Sequence, residues 1–325
     1  MRKRHPAPRS PRSVRAGMTG TTGKRRETTK SKGGSRVFQL NLVKYFKSHT
    51  SETVRAYVQN TVSTSLPVYG VPLRDIRALA KTISGADAAA YVDFYMVPTS
   101  YEHAMLSAMV IGRATYNDLV EYMYIVDSFM DFVDNWSVCD TFAAALKIVG
   151  KRRELFWDFV KDLVASGEEY RARLGYVLML YYYLDEPAYF ERICKVMERY
   201  PTEQHFVEYA KAWLLSYAWR SYPQQTGRFL VRSGLCDQTK LTAVRKILAF
   251  RDIPQSDKQP VRGLQDVLQK RERMLRAQRR AEERAEGGGR PRKPKAPGVR
   301  QLEYERIRAL VESTRCEQQE KESKV

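Results

Sequence analysis

The sequence predicts an all-α protein built as a HEAT-like or armadillo-like helical repeat solenoid. From about residue 37 to residue 250, apolar residues recur at three- and four-residue spacing, the period of amphipathic helices. No segment alternates apolar and polar residues between hairpin signals, so we expect essentially no sheet. Prolines suited to first helical turns recur along this region, at Pro72, Pro98, Pro187, Pro201 and Pro223.

The predicted helices follow one another through short turns. They cover residues 51–63, 72–83, 101–113, 119–133, 150–165, 170–184, 187–200, 203–221 and 238–250. Ser51, Ser100, Asp134 and Thr202 are the expected N-caps, because their side chains can accept hydrogen bonds from first-turn amides. In pairs, these helices form units of about 35–45 residues, which is the size of a HEAT-type repeat. A compact irregular helical bundle is the structural alternative.

Polar segments flank this core. Residues 1–36 carry 12 Lys/Arg and one acidic residue, and we expect a disordered basic arm. Residues 251–325 form a charged tail with 20 basic and 13 acidic residues, a possible helix at 261–286 and a flexible linker at 287–300. The chain's net charge of +19 therefore belongs mostly to its ends, since residues 37–250 carry 24 basic and 23 acidic residues. DNA, RNA and acidic membranes all remain open as partners on charge alone.

Cysteine and hydropathy patterns indicate which kinds of protein this sequence does not resemble. The four cysteines show no CxxC pair and no clustering with histidine, so we expect a reducing cytoplasm and no structural zinc or other metal site. No apolar run approaches the length of a membrane span. The N-terminal charge is followed by no apolar stretch, so it does not predict a secretory signal.

Three segments could carry chemistry. In the first, Trp136 and Asp140 lie four residues apart on a helix that Asp134 would cap, so they share one face. An aromatic ring beside a carboxylate suits a cationic ligand. The alternative is a core tryptophan and a surface aspartate near a helix N-terminus.

The other two segments are an aromatic stripe and an arginine. Trp213, Tyr217 and Arg220 fall on one helix face, where they could stack on sugars or bases and reach phosphate, or else belong to the core. The segment 171–176 opens a strongly apolar helix with Arg171 and Arg173. An arginine at this place could hold a backbone phosphate, or it could equally pair with Glu168 or Glu169 on the surface.

Together these segments resemble the DNA alkylation repair family of HEAT-like, AlkD-like glycosylases over roughly residues 40–250. Trp136 and Asp140 match the family's W-x-x-x-D pattern, Arg173 its later arginine-headed helix, and Trp213 with Pro223 a following tryptophan helix. The stretch from Gly70 to Arg77 is similar to the family's first loop-to-helix junction. Ser137 stands where the family's type member has a second, adjacent tryptophan.

The resemblance implies hydrolytic excision of cationic alkylpurines, such as N7-methylguanine and N3-methyladenine, from duplex DNA. Asp140 would stabilise the oxocarbenium-like transition state, and Trp136 and Trp213 would hold the lesion nucleotide. Phosphate contacts would come from Arg173 first, and from Arg77, Arg220, Lys240, Arg245 and Lys246. We expect no cofactor, no membrane contact, a monomer, and a bacterial cytoplasmic, nucleoid-associated location.

Two other interpretations stay open. A catalytically inactive HEAT-like scaffold that binds DNA or protein would not need Asp140. An RNA-binding tail fused to a helical repeat would depend on residues 1–36.

Overall fold

The computed structural model describes residues 41–84 and 86–286. The predicted arm 1–36, the predicted linker 287–300 and the end of the tail lie outside this range. Within it the chain forms fifteen α-helices, one 3-10 turn and no strand. The all-α solenoid prediction is confirmed for this part of the chain. No helix in it is long and apolar enough to cross a membrane.

The helices are short, and most connections take only a few residues. They are α1 (Leu42–Ser48), α2 (Glu52–Thr61), α3 (Leu73–Thr82), α4 (Ala86–Tyr95), α5 (Tyr101–Ile111), α6 (Leu119–Phe129), the 3-10 turn Met130–Phe132, α7 (Trp136–Ala145), α8 (Lys147–Lys151), α9 (Arg153–Ala165), α10 (Glu169–Tyr182), α11 (Pro187–Arg199), α12 (His205–Ser221), α13 (Pro223–Arg232), α14 (Asp237–Ala249) and α15 (Gln255–Glu286). The sequence patterns did not single out α1, α4, α8 or α13.

The predicted N-caps are realised unevenly. Ser100 caps α5, because its side chain accepts from the His103 amide. Asp134 is not the cap of α7: Asn135 takes that position and accepts from the Val138 amide. Asp134 instead accepts hydrogen bonds from Thr64 and Ser65, across the chain.

Ser51 is the N-cap residue of α2 but makes no side-chain capping bond. Thr202 lies outside α12, whose N-cap is Gln204. Its hydroxyl accepts from the Gln204 amide and so orders the turn before the helix.

Five helices stack side by side in succession as one layer. α5 packs on α7, α7 on α10, α10 on α12, and α12 on α14. The close approach of α5 and α7 depends on Gly112, where an added Cβ would lie 2.4 Å from the Cβ of Ala145. This layer carries most residues of the candidate site, and the helices between its members pack against it.

Helices inside the layer are buried on more than one face. Every residue of α5 is buried, and so are nine consecutive residues of α10, from Ala172 to Leu180. The spacing in 101–113 suggested a one-sided amphipathic helix, whereas α5 is enclosed by α3, α4, α6 and α7. Because neighbours surround α5, its polar residues Glu102, His103 and Ser107 are buried together with its apolar ones.

A buried carboxylate fixes the loop between α2 and α3. Glu102, fully buried, accepts from the backbone amides of Tyr69 at 3.0 Å and Gly70 at 2.7 Å. Gly70 has a φ of +86°, a conformation that side chains rarely adopt. The loop therefore has one defined path into α3, which forms part of the site described next.

Candidate functional site

The centre of the site is a bidentate ion pair between two neighbouring helices of the layer. Asp140 lies on α7 and Arg173 on α10. The Nε of Arg173 donates to Oδ1 of Asp140 and its Nη2 donates to Oδ2, both at 2.8 Å. The remaining terminal nitrogen, Nη1, donates to the carbonyl oxygen of Phe206 at 2.7 Å. Such a fork fixes the plane of the carboxylate as well as its position.

This pair is largely withdrawn from water. The side chain of Arg173 is 3% exposed and that of Asp140 is 17% exposed. Burial raises the pKa of the Asp140 carboxyl above its ordinary value, and the hydrogen bonds and charge of Arg173 oppose that rise. Burial also raises the pKa of the neighbouring Cys139 thiol well above its ordinary value, so this cysteine stays protonated. Arg173 is thus what favours the ionised form of Asp140.

Phe206, whose carbonyl oxygen accepts from Arg173, is fixed in turn by two contacts with α10. The backbone amide of Phe206 donates to Oε1 of Glu169 at 2.9 Å, and its ring stacks on Tyr170 at a centroid distance of 5.7 Å. Glu169 and Tyr170 belong to the first turn of α10, whereas Phe206 belongs to α12. Three successive helices of the layer therefore fix the orientation of one carboxylate.

This geometry corrects the predicted role of Arg173. A phosphate contact requires guanidinium N–H groups that face solvent, but those of Arg173 are buried on Asp140 and on Phe206. Arg173 positions a carboxylate here, and we do not retain it as a DNA contact.

Trp136 lies one turn before Asp140 at the start of α7, half-buried. Its indole Nε1 donates to the carbonyl oxygen of Thr61 at 3.3 Å, which joins α7 to the end of α2. The hydroxyl of the adjacent Ser137 hydrogen-bonds to that of Tyr101 at 2.8 Å. Trp136 is thus held in place at the edge of a surface depression.

That depression is a groove of about 950 Å³ between α2, α3, α5 and α7. Its wall is mainly apolar, with Trp136, Tyr101 and the exposed Tyr57 among its aromatic residues. Asp140 is the only acidic residue among the described residues that line it. The groove therefore combines one carboxylate with rings and aliphatic surface.

Four exposed cations also line the groove: Arg77, Lys81, Arg113 and Lys147. None of them forms an ion pair with any residue in the described ranges. Of these four, only Arg77 is predicted from the sequence as a phosphate contact. Lys81 follows Arg77 by one helical turn, and this spacing in the sequence indicates that both lie on one face of α3. Arg113 and Lys147 reach the groove only through the stacking of helices, which no sequence spacing indicates. These four charges give the groove a positive rim around a carboxylate that Arg173 already balances.

Trp213 contacts this site through Tyr181, which the sequence patterns do not single out. Tyr181 lines the groove, and its pKa is raised by burial first and then by the charge of Asp140. The rings of Tyr181 and Trp213 meet edge to face at 5.9 Å. Trp213 thus contacts one residue that lines the groove, but it is not itself among the lining residues.

The remaining predicted cations lie elsewhere. Lys240 is 6% exposed and donates to the carbonyl oxygen of Ser233 at 2.7 Å, so we do not retain it as a phosphate contact. Arg220 pairs with Asp252 at 2.8 Å, and Lys246 lies over the ring of Tyr209. Arg245 is exposed on α14. These three are accessible to a ligand but do not line the groove.

The described residues include no group of three or more His, Cys, Asp or Glu side chains that could hold a metal ion. The polar chemistry of the groove is that of one carboxylate, hydroxyl groups and four cations.

A family model described as DNA alkylation repair enzyme matches residues 39–247. The chain belongs to this family. The resemblance drawn from Trp136, Asp140, Arg173 and Trp213 is therefore confirmed at the level of the family. No curated protein matches the chain. The protein is therefore one of a family of DNA repair enzymes. The matched region contains the groove, the Asp140–Arg173 ion pair, and Glu169 and Phe206, which support that pair.

Proposed function

We propose that this member of the DNA alkylation repair family is a DNA glycosylase that hydrolyses the N-glycosidic bond of cationic alkylpurines, such as N7-methylguanine and N3-methyladenine, in duplex DNA. One observation carries the proposal: Asp140 is a fixed carboxylate in a groove whose other charged lining residues, within the described ranges, are unpaired cations. The cations suit phosphates, and the carboxylate suits a sugar that becomes positive.

The chemistry assigns Asp140 an electrostatic role. Alkylation at a ring nitrogen makes the base cationic and a good leaving group. The bond from C1′ to the base nitrogen breaks, its electron pair leaves with the base, and the base departs neutral. The deoxyribose then carries oxocarbenium charge until water adds to C1′ and loses a proton. A carboxylate already in position stabilises that charge without reorganising as it forms.

The ion pair with Arg173 is compatible with this role. Each carboxylate oxygen can accept about two hydrogen bonds, and Arg173 uses one on each. The remaining lone pairs can orient the attacking water. We propose Arg173 as a positioning residue that keeps Asp140 ionised and correctly turned. Trp136 and Trp213 would hold the lesion nucleotide between their rings.

The DNA contacts follow from the exposed cations. We propose that Arg77, Lys81, Arg113 and Lys147 bind backbone phosphates, because they line the groove without ionic partners. Arg220, Arg245 and Lys246 stay secondary candidates on α12 and α14.

The test is release of methylated bases from methylated duplex DNA. Asp140→Asn should lower single-turnover release by at least about a hundredfold, because it removes the charge that stabilises the transition state. Binding of undamaged duplex should change little. Asp162→Asn, at an exposed carboxylate on α9, serves as the matched control and should behave as wild type.

Two outcomes would contradict the proposal. If the wild-type protein releases no base from methylated duplex, the enzyme assignment is wrong and a binding scaffold is favoured. If Asp140→Asn releases bases at the wild-type rate, the activity does not depend on this carboxylate.

A further inference from the structure

A second groove, of about 560 Å³, lies between α6 and α9. It shares no lining residue with the groove that contains Asp140. Both helices contribute to its apolar wall, which consists of Val120, Met123, Tyr124, Phe159 and Leu163. Val120 is 74% exposed and Tyr124 is 73% exposed. A contiguous exposed apolar surface of this kind marks a binding site more often than isolated exposed residues do.

The edge of the α6–α9 groove is acidic. Asp127 and Glu168 line it, and Arg171 pairs with both of them and with Asp131. Three carboxylates around one guanidinium leave an excess of negative charge. Residues 118–132, which form α6 with its N-cap and the 3-10 turn, include four carboxylates and no Lys or Arg. The groove therefore suits a ligand whose apolar side chains are flanked by cations.

The last described helix, α15, presents such a surface. Its first half is fixed along α14 in the opposite direction: Lys258 donates to the carbonyl oxygen of Phe250 at the end of α14, and Arg271 pairs with Asp237 at its start. We use "projecting segment" for residues 270–283, where every residue except Glu272 is exposed. A helical segment of this length without packing is only marginally stable in water. A partner that covered it would stabilise it.

The projecting segment carries apolar side chains between cations. Residues 270–280 include six Lys/Arg and one acidic residue. Met274 is 58% exposed and Leu275 is 44% exposed. Lys270 precedes Met274 by one helical turn and Arg279 follows Leu275 by one turn, so the two cations flank the apolar pair on opposite sides. Neither cation forms an ion pair with another described residue. The segment is thus complementary in charge to the α6–α9 groove.

The two surfaces cannot meet within one copy of the protein. The projecting segment continues along the axis of α14, past the start of that helix at Asp237. The groove lies across the layer instead, because α9 packs on α10, and α12 stands between α10 and α14. At roughly 9 Å for each helix spacing, α10 alone is about 18 Å from α14. Only a second copy can bring a projecting segment to the groove.

We propose that the α6–α9 groove binds the projecting segment of α15 from a second copy of this protein. An amphipathic helix laid into an apolar groove is a recurrent mode of recognition. Met274 and Leu275 pack on Val120 and Tyr124, and Lys270 and Arg279 face the acidic edge.

The contact is head-to-tail, because the groove and the helix are different surfaces. Each added copy leaves one free groove and one free projecting segment, so the copies form open chains or closed rings in place of the expected monomer. The helix α15 lies outside the matched region 39–247, and the inference does not depend on the glycosylase proposal.

The experiment blocks each surface in turn and then mixes the blocked proteins. Sedimentation velocity of the full chain should show a wild-type mass that rises with protein concentration and falls with added salt, which screens the charges. Tyr124→Lys, in the groove, and Met274→Glu, in the projecting segment, should each weaken self-association at least about tenfold. An equimolar mixture of the two variants should form a heterodimer and nothing larger, because it retains one intact groove and one intact helix.

Two control variants change exposed apolar residues elsewhere. Phe94→Lys on α4 matches the change in the groove, and Val231→Glu on α13 matches the change in the helix. Both should associate as the wild type does. Thermal unfolding of each variant checks that the fold is retained.

Three outcomes would overturn the proposal. The first is a wild-type protein that stays monomeric at every concentration. The second is self-association that neither Tyr124→Lys nor Met274→Glu weakens. The third is loss of association in both variants without a heterodimer in their mixture, since the two surfaces would then not bind each other. A monomeric wild type whose affinity for duplex DNA falls in Lys270→Ala and Arg279→Ala would assign the projecting segment to DNA instead.

Discussion

Removal of the Arg173 charge should show what the ion pair does. In Arg173→Met the Asp140 carboxyl stays where its side chain is 17% exposed but loses both hydrogen bonds of the guanidinium. Breaking a buried pair on one side costs about 3–5 kcal/mol. The residual exposure of Asp140 places the expected loss near the lower end, about 3 kcal/mol. That is a large fraction of the roughly 5–15 kcal/mol that stabilises a typical domain.

The pH dependence has a definite sign. Burial already raises the pKa of Asp140, and the loss of Arg173 removes the two interactions that oppose the rise. The folded variant then binds the Asp140 proton more tightly than the unfolded chain does. This contribution favours folding at acid pH and is lost as the pH rises through the raised pKa. The stability deficit of Arg173→Met should therefore be largest at neutral pH and shrink towards acid pH.

Activity should follow the same titration. If ionised Asp140 stabilises the transition state, the acid limb of the single-turnover excision profile should move to higher pH in Arg173→Met. Urea unfolding at several pH values and base release from methylated duplex would measure the two effects together. The double variant Asp140→Leu with Arg173→Met should recover most of the stability, because no buried charge remains unpaired, while it stays inactive.

Arg171→Met is the matched control on the same helix. Arg171 pairs with Asp127 and Asp131, whose side chains are 48% and 61% exposed. Its loss should cost less stability and leave the pH profile of excision unchanged. An unshifted acid limb in Arg173→Met, with normal folding, would refute the reasoning about Asp140.

Two further predictions concern the groove and its wall. Lys81→Ala and Lys147→Ala should each make the negative slope of log affinity for duplex DNA against log salt concentration shallower by about 0.9, because each removes one phosphate contact. Binding titrations at several salt concentrations measure this slope. An unchanged slope would exclude that lysine from the interface. Gly70→Ala should lower the free energy of unfolding, measured by urea denaturation, by more than about 1 kcal/mol. Gly70 has a φ of +86°, and an added Cβ would lie 2.6 Å from the Ser51 carbonyl oxygen. A wild-type unfolding midpoint for Gly70→Ala would show that the loop between α2 and α3 can relax.

Local sequence signals were sufficient for the helical class and for much of the site's identity. Three- and four-residue apolar spacing located most long helices, because helix periodicity is a property of neighbouring residues. The four-residue interval from Trp136 to Asp140 placed both on one face of α7. The resemblance drawn from that interval, Arg173 and Trp213 agrees with the family that the family model identifies. Asp134 was misassigned as a cap because its partners, Thr64 and Ser65, are about 70 residues away.

Tertiary structure decided how these residues act. No sequence interval indicates that Arg173 would turn inward onto Asp140 or that Glu169 would hold the amide of Phe206, since each contact joins residues more than 30 positions apart. The same holds for the groove, where helix stacking gathers Lys81, Arg113 and Lys147 around a single carboxylate. Sequence determined which residues are chemically able to act, because side-chain chemistry and helical period are local. Packing determined which of them face the groove, because burial and ion pairing depend on distant neighbours.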